Sequence, residues 1–283
     1  METIRHTDKR FTVSARLEKK SRRIWVVDYQ AIDHGAMCDF LWKLASAREF
    51  DKIVFPVKNC DLKTVLKNGF RPEGIIQKYF GETDAYFLAA YPSSDRSYSI
   101  SLYPEQKMLK EISSLPRGWK GQQPGGFTIR QAEVKDAPLM ADLFKRVFTS
   151  YPTPVHDPVY LAQCMEKNSI FILAFKGTAL AGAASAEVQW DHRRAELSDC
   201  ATDPDYRGIG LNTYILSSLE KTCLAMGIEC LYSLSRASSY GMNLILHRLG
   251  YEFGGTLINN CHIGGRYENM NVWVKPSREK AAV

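Results

Sequence analysis

The chain has 283 residues, 45% hydrophobic and 24% charged, the ordinary balance of a soluble globular protein with room for one large or two small domains. No apolar run approaches the roughly 18 residues of a membrane span, and the N-terminal METIRHTDKRFTVSARLEKK lacks the apolar core of a secretory signal. The net charge of +6 comes from lysines and arginines spread along the chain with no nucleic-acid-binding motif beside them, so it reads as a solvated surface and not as a DNA or RNA footprint.

In chain order, DKIVFPV reads as a strand followed by a helical segment that ends at Lys67-Asn68-Gly69-Phe70, and AYFLAAY as a further strand. YPEQKMLKEIS is a short helix with Pro104 in its first turn. The run LPRGWKGQQPGG, residues 115–126, carries two prolines and four glycines and reads as a linker. Residues 1–114 are then expected to form one α/β unit and residues 127–283 another. In the second unit SYPTPVHDPVYL is a proline-shaped loop.

Ala195–Asn212, AELSDCATDPDYRGIGLN, carries the most information. It reads as a strand, a sharp turn, an arginine loop interrupted by glycines, and a helix start. Amides entering a helix have no intrahelical acceptor and sit at the positive end of its dipole, so this turn suits a diphosphate. Arg207 adds a fixed cation, and Gly208 and Gly210 allow close approach to the backbone. Downstream, Leu211, Ile215, Leu219, Cys223 and Met226 form one apolar helical stripe that stops at Gly227.

These features resemble the GNAT acetyltransferases, whose turn motif is Arg or Gln, two residues, Gly, one residue, then Gly or Ala. Arg207-Gly208-Ile209-Gly210-Leu211-Asn212 fits except at the last position, where Asn212 replaces the small residue. The family order extends from about Phe127 to Pro276: FTIRQAEV resembles its first strand, DAPLMADLFKRVF its first helix with Asp136 as N-cap, SIFILAFKG with ALAGAASAEVQW its β-hairpin, IECLYSLS the strand after the cofactor helix, and SYGMNLILHRLGYEFGG the helix that ends in Leu-Gly-Phe/Tyr. GYEFGGTLINN and GGRYENMNVWVKP further resemble the C-terminal end of the β-lysine N-acetyltransferases, which act beside a lysine 2,3-aminomutase and make the compatible solute Nε-acetyl-β-lysine. The resemblance implies an α/β (α+β) GNAT fold, with a central mixed, largely antiparallel sheet flanked by helices. It also implies acetyl-CoA as cosubstrate and direct transfer to the terminal amine of β-lysine. Another small amine, a protein lysine, or a non-catalytic CoA-binding module stay open as alternatives.

The first unit echoes the second. Gly69 precedes Gly74 by the spacing at which Gly250 precedes Gly255, and Asp84 precedes Pro92 as Glu268 precedes Pro276. Residues ~22–92 therefore resemble a degenerate half of the same fold, although Gly-Phe after a helix is also a common cap. DYQAIDHGAMCDF, where the cofactor turn belongs, has one glycine and no arginine, so this unit is expected to be a scaffold or a homodimerisation surface.

Acetyl transfer to an amine requires removal of the amine proton, donors for the oxyanion, and favours a proton for the leaving thiolate. Glu196, at the start of the strand before the turn, matches a catalytic glutamate of several GNAT enzymes; its alternative is an edge carboxylate paired with Arg193 or Arg194. The family's usual acid, a tyrosine, is replaced by Leu246, leaving Tyr240 and Asn243 as candidates, with simple packing the competing role for Tyr240. The family implies a strand bulge near Asp199, where the pantetheine arm pairs with backbone around Cys200, Ala201 and Thr202, followed by the diphosphate at Arg207, Gly208, Ile209, Gly210, Leu211 and Asn212. Tyr151, Asp157, Tyr160, Asn259, Asn260 and Glu268 are the expected substrate contacts, each with a polar loop position as its alternative. Seven cysteines without a CxxC pair point to reduced thiols in a cytoplasm, Cys200 among them as a structural thiol. Six histidines without close ligand spacing leave no metal site.

Overall fold

The computed structural model of the protein describes residues 2–119 and 121–276; Met1, Lys120 of the expected linker and residues 277–283 of the expected second unit lie outside the described residues. The elements in order are β1 (Glu2–Thr7), β2 (Phe11–Glu18), β3 (Arg23–Ala31), α1 (His34–Ala47), β4 (Lys52–Lys58), α2 (Asn59–Lys67), β5 (Arg71–Ile76), β6 (Ala85–Ala90) and α3 (Leu102–Ser113). There follow β7 (Thr128–Gln131), α4 (Ala137–Val147), α5 (Pro158–Lys167), β8 (Ser169–Lys176), β9 (Ala179–Gln189) and β10 (Arg194–Thr202). The chain closes with α6 (Leu211–Ala225), β11 (Cys230–Arg236), α7 (Tyr240–Arg248), β12 (Glu252–Ile263) and β13 (Arg266–Val274).

The described strands form one sheet in the order β1-β2-β3-β4-β6-β5-β12-β13-β11-β10-β9-β8-β7. It is mixed and largely antiparallel, as a GNAT fold requires: the parallel pairs are β3 with β4 and β10 with β11. β8 and β9 are buried along almost their whole length because helices cover both faces, α4 and α5 on one side and α6 on the other. On α6, Leu211, Ile215, Leu219 and Cys223 are buried as their spacing predicts. Met226 departs from the stripe. It is the C-cap and is 47% exposed, because the helix ends there and Gly227 turns the chain away. Asp136 is the N-cap residue of α4, as expected, but its side chain makes no capping bond to the helix. A 3-10 turn at Val134–Asp136 precedes α4, and the Asp136 carboxylate accepts from the Glu133 amide (2.8 Å) and from Arg130.

The two sides of the sheet repeat one another. β1-β2-β3-β4-β6-β5 follows the same strand order and pairing sense as β8-β9-β10-β11-β13-β12, with α1 in the place of α6 and α2 in that of α7. The correspondence begins at β1, upstream of residue 22. The two halves join where Gly74 of β5 pairs with Gly255 of β12, the two glycines that hold matching places in the two runs. A Cβ on Gly255 would collide with the Glu73 carbonyl and the Gly74 backbone, so the joint admits no side chain there. The halves then face each other across a shared cluster, with Trp25, Val54 and Phe87 from one and Tyr232, Met270 and Val272 from the other.

Candidate active site

The site begins with a failure of strand pairing. β10 and β11 are paired only from Arg194–Glu196 to Cys230–Tyr232. Beyond that point β11 stays with β13, and β10 with β9, so the two parallel strands diverge into a wedge. The Ser233 hydroxyl donates to the Leu197 carbonyl at 2.7 Å and closes its apex. On the other edge, the β9–β10 register shifts between Ser198 and Ala201, and Asp199 takes φ 48°. This is the expected bulge. It reverses the simple alternation: Leu197 and Cys200 both pack toward the α6 side, while Ala201 packs under α4 and α5. A cavity of about 150 Å³ fills the wedge between Ser198–Cys200 and Ser233–Arg236. The loop after α4 (Phe148–Tyr151), the start of α7 (Ser239, Met242) and the tip of the β12–β13 hairpin complete its walls.

The turn after β10 fits a diphosphate. Asp203 caps a 3-10 turn at Pro204–Tyr206, and Tyr206 stacks edge-on against Phe127 at 5.6 Å, fixing the loop on the body of the protein. Gly208 and Gly210 both have φ +81°, a left-handed conformation that favours glycine. Gly210 is the N-cap of α6 and offers no side-chain acceptor. Among the described residues the amides of Gly208 to Thr213 donate to no protein group, leaving a row of free donors at a helix N-terminus. Arg207 is exposed beside them, its Nε held by the Thr202 carbonyl at 3.2 Å. Asn212 spans from α6 to α7, with Nδ2 against Met242 Sδ at 3.6 Å and a buried Oδ1 that has no partner among the described residues. These residues fit acetyl-CoA, as does the bulged backbone at Cys200, Ala201 and Thr202. Burial pushes the Cys200 thiol up, so it is not a ready thiolate.

Glu196 is half-buried one pleat below the wedge, and Ser198 and Asp199 stand above it on the cavity wall. Burial pushes its carboxyl up to about 7, and the neighbouring Glu187 charge adds to the shift. Neither Arg193 nor Arg194 pairs with it. Arg193 binds Glu229 at 2.7 Å, and Arg194 is spent on the Tyr79 carbonyl and Gln189. Asp199 is a residue the sequence pattern did not single out. The bulge turns it into the cavity, where it accepts from the Ser185 hydroxyl (2.7 Å), lies beside Tyr151, and is raised by burial. Only the bulge's left-handed residue signals it, and alternation alone places it on the opposite face from Glu196.

The remaining expected residues divide. Tyr151 lines the cavity. Asp157 is exposed and caps α5, accepting from the Val159 amide at 2.9 Å; Tyr160 packs into the cluster under α4 and α5 and does not line the cavity. Asn243 is not free to serve as an acid. It is fully buried, its Oδ1 accepting from Ser235, Asn271 and Trp273 and its Nδ2 donating to the Arg236 and Ser239 carbonyls. Tyr240 turns outward toward Glu111, with its hydroxyl 3.5 Å away. The hydroxyl that does line the cavity at this end is Ser239, the N-cap of α7, which makes no capping bond. Asn259, Asn260 and Glu268 also leave the site. Asn259 donates to the Arg96 and Tyr98 carbonyls, Asn260 is wholly buried with its carbonyl held by Arg23, and Glu268 is bound by Arg266 and Ser238. Asn259 and Asn260 build the joint between the halves of the sheet, and Glu268 is tied within its own half, which a hairpin-tip sequence does not reveal. Among the described residues no group of three His, Cys, Asp or Glu side chains could hold a metal, and no helix is long and apolar enough to cross a membrane.

The Acetyltransferase (GNAT) family profile matches residues 138–251. The chain is 37% identical over 257 residues to the N-acetyltransferase YodP of Bacillus subtilis, spanning 90% of this chain and 92% of that protein. It is 33% identical over 256 residues to the Beta-lysine N(6)-acetyltransferase of Methanosarcina mazei, spanning 82% of this chain and 93% of that protein. Among solved structures, the ribosomal-protein-S18-alanine N-acetyltransferase of Escherichia coli superposes on 56% of this chain and 98% of its own, at 21% identity and a TM-score of 0.49.

Proposed function

The chain belongs to the GNAT acetyltransferase family and is an acyltransferase, and we propose that it transfers the acetyl group of acetyl-CoA to the terminal amine of free β-lysine. One observation carries the chemistry: the half-buried Glu196 carboxyl, raised by burial to about 7, stands one pleat from the cavity where β10 and β11 part, on the strand that runs into the turn with its row of free helix-N-terminal amides. A lysine-type ammonium, with a reference pKa of ~10.4, must lose a proton before it attacks. Glu196 accepts that proton, directly or through a water, and its raised pKa matches it to neutral operation. Acetyl-CoA supplies the activated carbonyl; the amides of Gly208–Thr213 and Arg207 hold its diphosphate. Asp199, beside Tyr151, holds the substrate's second ammonium. Ser239 is the hydroxyl placed to donate toward the leaving sulfur.

The choice of β-lysine is supported by the relative of that name and by three carboxylates, Glu187, Glu196 and Asp199, on one face of β9 and β10. Such a face suits an acceptor with two ammonium groups. The repeated strand order supports a companion inference, that β1–β6 is a degenerate copy of the catalytic half kept as scaffold. Turnover with acetyl-CoA should be compared across β-lysine, lysine, polyamines and a lysine peptide. Lysine carries its second amine one carbon away, and a polar group left unpaired costs roughly 1–3 kcal/mol. The kcat/KM for β-lysine should therefore exceed that for lysine by about tenfold or more, and mass spectrometry should place the acetyl group on the ε nitrogen. Equal activity on lysine, or a preference for the peptide, would overturn the β-lysine assignment and leave the acetyltransferase intact.

A further inference from the structure

Four arginines are withdrawn from solvent around the joint of the two halves, and three of them are held by two or more acceptors, although the Nε of Arg194, like that of Arg16, has no acceptor among the described residues. Arg23 gives Nε and Nη2 to Glu18 and Nη1 to the Asn260 carbonyl and Cys261. Arg96 binds the Asn259 and Ser21 carbonyls and Asp51. Arg194 binds the Tyr79 carbonyl and Gln189. Arg16 is different. Among the described residues its guanidinium makes one hydrogen bond, from Nη1 to Glu187 at 3.5 Å, and its buried Nε has no acceptor. A guanidinium carries five donors, and withdrawn ones are normally satisfied. The side chain is 24% exposed, so it is neither sealed in the core nor free in solvent.

Its position gives the vacancy a meaning. Arg16 stands on β2, in the half of the sheet that lacks a cofactor turn, yet it faces the catalytic half. Its charged neighbours are Glu187, Glu18 and Glu196, and it helps to hold down the Glu196 carboxyl that burial pushes up. The same β2–β3 hairpin reaches the wedge: Lys20 Nζ donates to the Tyr151 carbonyl at 2.7 Å, and Ser21 Oγ accepts from the His262 amide at 3.2 Å. The N-terminal half thus packs behind the Tyr151 loop, which lines the cavity, and against the β12–β13 hairpin.

We propose that Arg16 binds the carboxylate of the acceptor, so that the N-terminal half selects amino acids over plain amines. This rests on reading the acceptor as a small amine acetylated beside Glu196. A planar guanidinium with unfilled donors is the group that takes a carboxylate in two parallel bonds. One cation among Glu187, Glu196 and Asp199 also complements a molecule with one carboxylate and two ammonium groups.

The test compares wild type, R16A and R16K on two matched pairs: β-lysine against 1,4-diaminopentane, and lysine against cadaverine. Within each pair only the carboxylate differs. Wild type should prefer the carboxylate-bearing member. In R16A kcat/KM for that member should fall by about 10–100-fold, the size of a lost charge-assisted pair, mainly through KM, while the diamine changes by less than about threefold. R16K should fall between, and added guanidinium should restore part of the lost activity to R16A, which a folding defect would not allow. An equal fall for both members, or no fall for either, would show that Arg16 does not read the carboxylate. If wild type uses lysine and not β-lysine, the β-lysine assignment fails, and the lysine–cadaverine pair still decides the role of Arg16. If wild type turns over the diamines as well as the amino acids, the Arg16 proposal fails alone.

Discussion

Two strand–turn–helix segments hold equivalent places in the sheet, β3–α1 and β10–α6, and they end in opposite chemistry. Each strand is bulged against its antiparallel neighbour, between Ser14 and Ala15 on the β2 side in one case and between Ser198 and Ala201 in the other. Each pairs in parallel with the next strand over three residues and then parts from it. At the head of α1, however, the Asp33 carboxylate accepts from the Ala36 amide at 2.9 Å, so the helix caps itself. The gap between β3 and β4 is also occupied: the Tyr29 hydroxyl accepts from the Lys58 amide (2.9 Å) and donates to Asp61 (2.7 Å). At the head of α6 a glycine stands where Asp33 does, no side chain serves the amides, and the wedge beside it is open. One topology therefore yields a scaffold or a site according to whether the protein satisfies its own backbone donors.

The largest test of this contrast lies at Glu196, which has no carboxylate counterpart offered to a wedge in the other half. E196Q should lower turnover by about 10²–10⁴-fold with little change in acetyl-CoA affinity. Wild-type activity should rise with pH through about 7 as Glu196 loses its proton, and that limb should vanish in E196Q. The same group gives a stability signature. Its folded pKa lies above the ordinary 4.5, so the folded state holds more protons than the unfolded one between about 4.5 and 7. Stability should fall across that window as pH rises, and E196Q should flatten the fall. A near-normal rate in E196Q at neutral pH would return Glu196 to an edge carboxylate.

A smaller effect is expected at the turn itself. G210V forces a β-branched residue into a φ of +81° and sets a side chain before the free amides. Strain of this kind is worth roughly 1–3 kcal/mol, so CoA affinity measured by calorimetry should drop by about 10–100-fold with an unchanged circular dichroism spectrum. Unaltered affinity would remove the diphosphate from this turn. The smallest expected change sharpens the comparison from the other side. D33A should cost about 1 kcal/mol of stability in denaturant melts, as the loss of a helix cap does, with CoA stoichiometry still one per chain. A second equivalent bound by D33A would mean that the N-terminal turn had kept a latent site.

Legibility in the sequence followed the range of the interactions. The Gly208–Gly210 turn, the apolar stripe of α6 and the bulge near Asp199 depend on neighbours within one turn or one strand, and the residues that make them stand together in the chain. Asn243 was misjudged because its three donors come from β11 and β13. Asn259, Asn260 and Glu268 looked like binding residues because a polar hairpin is ordinarily exposed. Here the joint with β5 and the loop after β6 covers it.

By itself the sequence determined the family, and it marked the strand and the glycine turn of the candidate site, since each is a short pattern whose chemistry is local: free amides, a left-handed glycine, a glutamate at a fixed place before them. Tertiary structure decided the rest of the site. It set the pKa of Glu196 through burial beside Glu187, turned Asp199 into the wedge, replaced Tyr240 and Asn243 by Ser239 at the cavity, and brought Arg16 across from the other half. Those outcomes depend on which groups more than a hundred residues apart, or on opposite faces of a bulge, share one desolvated space, and no local pattern encodes that.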